Sequence, residues 1–264
     1  MANNMNPATH GLVDAEGASE ILTTSGMTKH YAGITAVNNL SLGLKTGEIH
    51  ALIGPNGAGK STAINLLMGE VEADSGSIVL DGQDISKQSV SQRSRLGMGR
   101  TYQITSVIRE LTVQENMIIA VLSQTHEKYI GLGTAGKSPR VRERVAEMLD
   151  RFDLARYGFD FAGQLSHGEQ GRLEIAMCLA PNPRVLLLDE PMSGMSLLDG
   201  EQIVNLLESI RPQMAILLVE HDMDAVFKLA SRITVLASGE AIASGLPEDV
   251  RKDERVIKSY LGEG

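Results

Sequence analysis

One stretch, residues 49–68, constrains the fold of this chain more than any other. It opens with a mainly apolar run, 49–53, that predicts a buried strand, and it closes with a segment, 60–68, that predicts a helix. Between them lies GPNGAGKS, which fits the G-x-x-x-x-G-K-[ST] pattern of a phosphate-binding P-loop. The motif requires a strand before it and a helix after it, and the sequence predicts both. An α/β fold built around a phosphate site follows.

The residue types in this loop suit the binding of a phosphate group. Glycines leave room for backbone N–H groups to approach an anion, and they tolerate positive φ angles. The helix that follows would present unpaired N–H groups and the positive end of its dipole to the same anion. Lys60 supplies a cation for the β- and γ-phosphates, and the Ser61 hydroxyl can bind Mg²⁺. The alternative is a glycine-rich turn that binds nothing.

Composition excludes several other classes of protein. The 264 residues include 24 Lys and Arg against 33 Asp and Glu, and there is no Trp, which argues against a nucleic-acid surface. Cys178 is the only cysteine, so neither an intrachain disulfide nor a cysteine-rich metal site can form. No run approaches about 18 consecutive apolar residues, the length of a membrane span. Residues 1–20 lack the pattern of a secretory signal, so we expect a disordered tail and a cytosolic protein.

Short apolar runs and helical segments alternate along the rest of the chain. The runs 185–188 and 215–219 predict central parallel strands, and 97–103 predicts a strand that ends on Gln103. Such an alternation is typical of a doubly wound sheet, which binds its ligands at the carboxyl ends of the strands. Polar side chains stand at these predicted ends, beside the P-loop: Gln103, Asp189, Glu190 and His221.

Helical spacing dominates the middle of the chain. Residues 108–123 and 139–152 have apolar positions at helical intervals, and a third helix is predicted from LSHGE at 165–169 to Ala180. Ser166 with Glu169 fits a capping box, so part of that motif is the ordinary chemistry of a helix start. We therefore expect a single domain over 21–264 that contains a mainly helical subdomain at about 104–180.

The order of these motifs resembles the ATP-binding subunits of ABC transporters over residues 21–262. GPNGAGKST is the P-loop, LSHGE resembles the signature motif, LLLDEP resembles the Walker B strand with its glutamate, and His221 resembles the switch histidine. GMGRTYQ, ELTVQENM, VEHDM and IKSYLGEG resemble the subgroup of branched-chain amino acid importers, which also includes urea and short-amide importers. The lipopolysaccharide-export ATPase belongs to the same subgroup and shares the YLGE ending.

The resemblance implies a fold and a set of site residues. The fold is an α/β P-loop NTPase core, a parallel sheet flanked by helices with an antiparallel β subdomain, plus the inserted helical subdomain. The implied cofactors are ATP and Mg²⁺, and the implied metal ligands are Ser61, Gln103 and Asp189. Glu190 would act as general base for the attacking water, with His221 and Gln103 as further catalytic residues. Nucleotide contacts would come from Tyr31, Gly54, Pro55, Asn56, Gly57, Ala58, Gly59, Lys60, Ser61 and Thr62, and from Ser166, Gly168 and Glu169 toward a second subunit.

The resemblance also implies partners at the cytoplasmic face of the membrane. These are two hydrophobic permease subunits, a second ATP-binding subunit, identical or related, and a periplasmic or extracellular solute-binding protein that acts indirectly; nucleic acid is not among them. Part of the range 104–112 would border the groove that receives a cytoplasmic helix of the permease, with Gln103 as the coupling residue. The implied function is solute uptake powered by ATP hydrolysis. The alternatives are an exporter ATPase, a soluble ABC ATPase and a small-molecule kinase.

Two departures from the family pattern concern the subunit contact. His167 and Glu169 replace the first Gly and the Gln of LSGGQ. The loop at 193–196, which follows Walker B, lacks the usual Asp, and Ser196 is the candidate to replace it. The phosphate-binding residues show no such departure.

Overall fold

The computed structural model describes residues 19–101, 106–123 and 138–261. Its strands are β1 (Glu20–Tyr31), β2 (Ile34–Leu40), β3 (Gly43–Lys45), β4 (Ile49–Ile53), β5 (Ser75–Leu80), β6 (Gln83–Asp84), β7 (Met98–Arg100), β8 (Val185–Asp189), β9 (Ala215–Val219), β10 (Arg232–Ala237) and β11 (Glu240–Gly245). Its helices are α1 (Lys60–Met68), α2 (Val90–Arg95), α3 (Val113–Leu122), α4 (Pro139–Arg151), α5 (His167–Leu179), α6 (Leu197–Ile210), α7 (Met223–Leu229), α8 (Pro247–Val250) and α9 (Glu254–Leu261). No helix in these ranges is long and apolar enough to cross a membrane.

A six-stranded sheet forms the centre of the fold, in the order β11-β10-β4-β9-β8-β7. Neighbouring strands from β10 to β7 are parallel, and β11 is antiparallel to β10. Strands β4, β8 and β9 are buried along their whole length, as parallel strands are when helices cover both faces of a sheet. The predicted bounds of β4 and β9 are confirmed, and β8 continues one residue further, to Asp189.

A smaller antiparallel sheet packs against this centre. Its order is β2-β1-β5-β6, and β3 pairs with the start of β1. Leu44 of β3 and Leu52 of β4 belong to one hydrophobic cluster, so the two sheets share a core. The expected antiparallel β subdomain is therefore present. Glu20, the last residue of the predicted tail, pairs with Lys45 and belongs to strand β1. The rest of that tail, residues 1–18, lies outside the described residues.

Two predicted elements are shorter than the sequence pattern indicated. The strand expected over 97–103 is described as Met98–Arg100; the Thr101 hydroxyl accepts the backbone N–H of Asp189, and residues 102–103 lie outside the described residues. The helix expected over 108–123 begins only at Val113. Thr112 caps it together with Glu115. The fully buried Asn116 side chain bonds both the N–H and the C=O of Ile108, and this holds the preceding segment as a loop.

A buried arginine closes the end of the P-loop helix α1. The Arg93 guanidinium donates to the carbonyls of Leu66 and Leu67, each at 2.7 Å, and also to those of Ser86 and Gln88. Helix C-terminal carbonyls lack partners within the helix and carry partial negative charge, so a cation stabilises them. Burial lowers the pKa of Arg93, but the four carbonyls satisfy its donors. This contact anchors the helix whose opposite end forms the phosphate site.

Candidate nucleotide-binding and hydrolysis site

The predicted site residues that the structure describes converge on one edge of the six-stranded sheet. At the carboxyl ends of its strands, in spatial order, lie Ser238 after β10, the P-loop after β4, Glu220 and His221 after β9, Asp189 and Glu190 at the end of β8, and Thr101 after β7. A parallel sheet brings these ends together although up to about 180 residues separate them in sequence. Gln103 lies outside the described residues, so its roles stay predictions.

The P-loop has the backbone conformation that an anion cradle needs. Gly57 and Gly59 have φ angles of 78° and 104°, in the region that favours glycine. A Cβ at Gly54 would clash with the carbonyl oxygen of Leu236, and one at Gly59 with that of Ala36. Helix α1 begins without a side-chain cap and without an acidic residue in its first turn. Its first N–H groups are therefore available to a phosphate.

An open cavity of about 500 Å³ lies over this loop. The predicted nucleotide-binding residues that line it are Asn56, Gly57, Ala58, Gly59, Lys60, Ser61 and Thr62, and the other lining residues are Ile34, Thr35, Ala36, Glu190 and Ser238. Tyr31 is not among them. Its half-exposed ring stands at the end of β1, 5.6 Å from the Lys29 ammonium, and the exposed side chain of Ile34 lies at the cavity instead. Base stacking by Tyr31 stays a prediction.

Lys60 is folded back over the loop. Its ammonium donates to the carbonyls of Gly54 at 2.7 Å and Pro55 at 3.0 Å. Burial lowers the pKa of Lys60, and the nearby carboxylates of Glu190 and Asp189 oppose that effect. The two loop carbonyls hold the Lys60 ammonium at the cavity. It is thus positioned to meet negative charge that enters the cavity.

Asp189 ends strand β8 with a buried carboxylate. Its Oδ2 accepts from Arg100 Nη2 at 3.2 Å, while its Oδ1 is buried and has no hydrogen-bond partner in the described ranges. Burial raises the pKa of Asp189, with Arg100 lowering it in part. A buried oxygen left without a donor suits a hard cation, which takes carboxylate, hydroxyl, phosphate and water oxygens. Ser61 and Asp189 together therefore fit a magnesium ion held jointly with phosphates.

Glu190 stands where the chain turns away from the sheet. Its backbone has a φ of 51°, unusual for a residue with a side chain, and its N–H donates to the carbonyl of Val219 at 2.9 Å. This conformation directs the carboxylate to the P-loop cavity, which it lines. His221 lies opposite, mostly exposed, with its Nδ1 3.8 Å from Glu190 Oε2. A carboxylate and an imidazole so placed can orient and deprotonate a water molecule.

Sequence reasoning gave no role to Glu220, which connects the two loops that carry these residues. Its carboxylate is buried and accepts the backbone N–H of Met192 at 3.0 Å and of His221 at 3.1 Å. Burial raises the pKa of Glu220, and these N–H groups lower it in part. Met192 follows Glu190 by two residues, so Glu220 fixes the spacing between Glu190 and His221. The feature of the sequence that could have identified Glu220 is its position at the end of a predicted strand, directly before His221.

The signature-like segment begins helix α5, and its His167 lines a second cavity together with Asp189 and Glu190. Ser166 caps helix α5 and exchanges hydrogen bonds with Glu169, which confirms the capping box, and the Tyr157 hydroxyl also donates to Glu169. Gly168 packs so closely on the first turn of α6 that a Cβ would clash with Asp199. None of Ser166, Gly168 and Glu169 is among the described residues that line the P-loop cavity. Ser196 caps α6 by accepting the N–H of Asp199 at 3.2 Å.

Comparison with known families and curated proteins agrees with this geometry. Residues 37–193 match the ABC transporter family, and residues 242–264 match a family described as branched-chain amino acid ATP-binding cassette transporter. Over 92% of this chain and 98% of each relative, the chain is 35% identical to the branched-chain amino acid transport ATP-binding protein BraF of Pseudomonas aeruginosa and 37% identical to LivG of Escherichia coli. It is also 35% identical to the lipopolysaccharide export ATP-binding protein LptB of Haemophilus influenzae.

Solved structures give the same result for the fold. A nucleotide-free ATP-binding cassette from an ABC transporter superimposes with a TM-score of 0.83 at 28% identity, covering 92% of this chain and all of that one. A cassette in its ADP conformation gives 0.81 at 29% identity over 92% and 99%. A dimeric cassette bound to ADP and Pi gives 0.73 at 27% identity over 86% and 98%. The α/β P-loop NTPase fold expected from the sequence is confirmed.

Proposed function

Because the chain belongs to the ABC transporter family, as one of its ATP-binding subunits, we propose that it hydrolyses ATP to power the uptake of branched-chain amino acids or a related small solute. One observation carries this proposal. Three features meet at one edge of the sheet. They are the glycine-rich P-loop, the buried carboxylate of Asp189, whose Oδ1 has no hydrogen-bond partner in the described residues, and the pair of Glu190 and His221. Phosphoryl transfer to water needs these parts, because its catalysis consists mainly of positioning and charge neutralisation.

Each residue at that edge has a proposed role. The N–H groups of 57–62 and the Lys60 ammonium bind the β- and γ-phosphates. Glu190 takes the proton of the attacking water, and His221 aligns that water and the γ-phosphate. A bound magnesium ion would neutralise phosphate charge and would be held by Ser61, Asp189 and, as a further proposed ligand, Gln103. Tyr31 is the proposed partner of the adenine base.

A second ATP-binding subunit completes the site in this proposal. The signature segment lies apart from the P-loop cavity of its own chain, so Ser166, Gly168 and Glu169 are free to serve the nucleotide of a partner. Next to it, Leu197 and Leu198 at the start of α6 are 88% and 74% exposed, which is unusual for adjacent leucines on a lone subunit. A related cassette of known structure is dimeric. We propose that this face meets the partner, identical or related.

The permease subunits would bind the proposed helical subdomain at about 104–180, within the single domain over 21–264. The chain has four Phe, and Phe159 and Phe161 are 88% and 52% exposed. The segment that carries them runs antiparallel to the loop of Ile108, itself 40% exposed, through hydrogen bonds such as Gly163 N–H to the Arg109 carbonyl at 3.0 Å. These three side chains form an apolar surface that could bind a cytoplasmic helix of the permease. The subunit would thus sit at the cytoplasmic face of the membrane.

Import of a branched-chain amino acid is favoured by the names of the relatives and by the match at 242–264. The similarity to LptB supports export of lipopolysaccharide as a second candidate. The nucleotide site does not distinguish them, because the ATP-binding subunit does not touch the cargo. A solute-binding protein, acting indirectly through the permease, belongs only to the import proposal.

Reconstitution tests the proposal. The chain is co-expressed with its permease subunits, placed in vesicles that enclose ATP, and supplied outside with the solute-binding protein and radiolabelled leucine. We expect leucine to accumulate inside vesicles that carry the wild type and not in those that carry Lys60→Ala. Equal accumulation with both would contradict a role for this P-loop. ATPase activity without leucine uptake, stimulated instead by lipopolysaccharide, would support the second candidate.

The same vesicles test the proposed coupling role of Gln103. Gln103→Ala should keep ATP binding and much of the basal ATPase rate, and it should lose the stimulation by leucine-loaded binding protein. A matched control is Gln170→Ala, which removes a side chain of the signature helix that bonds the Leu165 carbonyl. If Gln103→Ala is stimulated as strongly as the wild type, Gln103 is not the coupling residue.

A further inference from the structure

The mechanism above gives no role to the buried guanidinium of Arg100 at the end of β7. Its Nη1 donates to Asn65 Oδ1 at 2.7 Å and lies 2.9 Å from Glu70 Oε2. Its Nη2 donates to Asp189 Oδ2 at 3.2 Å. Asn65 belongs to α1, the helix that begins with Lys60 and Ser61, and Asp189 ends β8. One guanidinium therefore contacts both elements that supply the described candidate magnesium ligands.

We propose that Arg100 is a positioning residue for the magnesium site. It holds Asp189 by Oδ2, and so leaves Oδ1 as the oxygen that faces the cation. That oxygen is buried and has no hydrogen-bond partner within the described ranges, so its lone pairs are available to a cation. The inference rests on the proposed function, since it assumes that magnesium and nucleotide bind at this edge.

The choice of arginine fits this role. Its planar group presents donors in a fixed fork, so one side chain can bond Asn65 and Asp189 at the same time. It also places a positive charge beside a carboxylate that is buried and close to the Glu190 carboxylate. Together with the Lys60 ammonium, this charge reduces the repulsion between the two carboxylates. Arg100 thus fixes the geometry before the cation arrives, and residues that orient a metal ligand typically contribute about 10- to 100-fold to metal affinity.

Magnesium binding can be measured apart from hydrolysis. A fluorescent ADP analogue is added to purified wild type and to Arg100→Gln until half of the nucleotide sites are occupied. Mg²⁺ is then titrated into each sample. We expect Arg100→Gln to raise the Mg²⁺ concentration at half-saturation by about 10- to 100-fold. Affinity for the ADP analogue in EDTA should stay within about twofold of the wild type, because Arg100 makes no contact with the P-loop backbone in the described hydrogen bonds. Arg100→Lys should recover part of the loss, since it keeps the charge but cannot bridge both partners.

The matched control is Glu70→Gln, which removes the ion pair between Glu70 and Arg100 and leaves the contact of Arg100 with Asp189. Its Mg²⁺ half-saturation should match that of the wild type within about twofold. An unchanged Mg²⁺ titration for Arg100→Gln, or an equal loss of ADP affinity with and without Mg²⁺, would overturn the proposal in favour of a general structural role. If Arg100→Gln does not fold, wild-type-like titration of Arg100→Lys would overturn it as well. A wild type that binds no nucleotide would instead refute the proposed function.

Discussion

Acid should destabilise this protein through His50, a buried histidine of the P-loop strand β4. Its Nδ1–H donates to the Gly43 carbonyl at 3.0 Å, and its Nε2 accepts from the Thr234 hydroxyl at 2.8 Å. The bond from Thr234 requires a neutral imidazole, whereas the bond to Gly43 favours the charged form. Burial outweighs the Gly43 bond and lowers the pKa of His50 from 6.5 to about 4. The unfolded chain therefore binds the proton more tightly than the folded one. Stability is retained above pH 6.5 and is lost as the pH falls toward 4.

The size of the effect follows from the two pKa values. Each unit of difference in pKa corresponds to about 1.4 kcal/mol, so the free energy of unfolding falls by at most about 3 kcal/mol once the pH is below both values. Between pH 7 and pH 4.5 the same linkage predicts a loss of about 2 kcal/mol from this residue alone. Other groups titrate in this range too, so the contribution of His50 must be isolated by comparison with a variant.

Urea unfolding at pH 7 and pH 4.5 provides the comparison. His50→Gln keeps a donor and an acceptor but does not titrate, so its free energy of unfolding should depend on pH less steeply than that of the wild type. We expect the two losses to differ by about 2 kcal/mol. A difference below about 0.5 kcal/mol, which is within ordinary error for such measurements, would refute the assignment of a neutral, buried His50.

Two further predictions concern residues that sequence reasoning did not single out. Arg93→Met should lower the free energy of unfolding by about 3 kcal/mol, because it leaves the buried carbonyls at the end of α1 without donors. Urea unfolding at pH 7 measures this loss, and a loss below about 1 kcal/mol would contradict the capping role of Arg93. Glu220→Gln should lower the ATPase kcat about tenfold and leave ATP affinity unchanged, since one amide oxygen cannot hold both backbone N–H groups that fix Glu190 and His221. Unchanged kcat in steady-state assays would show that the Glu220 contact does not position them.

The phosphate site was predictable because its parts are contiguous in sequence. Strand β4, the glycines, Lys60 and helix α1 follow one another without interruption, and the conformation of such a loop depends mainly on its own residues. The capping box of Ser166 and Glu169 was predictable for the same reason. Asp189, Glu190 and His221 required one more step, the rule that parallel strands gather their carboxyl ends at one edge.

Arg100 and Glu220 were out of reach of such reasoning. The contacts of Arg100 are made with residues 35 and 89 positions away, and they exist only because β7 pairs with β8 beside the end of α1. Glu220 gains its role from Met192, 28 positions away, after β8 pairs with β9. The prediction of the start of α3 was wrong for a different reason. Apolar residues at 107, 108 and 111 imitate a helical period, while the nearby capping box of Thr112 and Glu115 marks the true start.

The central claim is that Glu190 activates water at a nucleotide held between two subunits. Glu190→Gln keeps the size and most of the hydrogen bonding of this side chain, and it removes the base. We predict that ATP still binds, that hydrolysis falls by at least about 100-fold, and that an ATP-bound dimer, with itself or with the partner subunit, accumulates. Light scattering with ATP and Mg²⁺, together with phosphate release, measures both outcomes on one sample. A variant that hydrolyses ATP at the wild-type rate, and stays monomeric, would contradict the account.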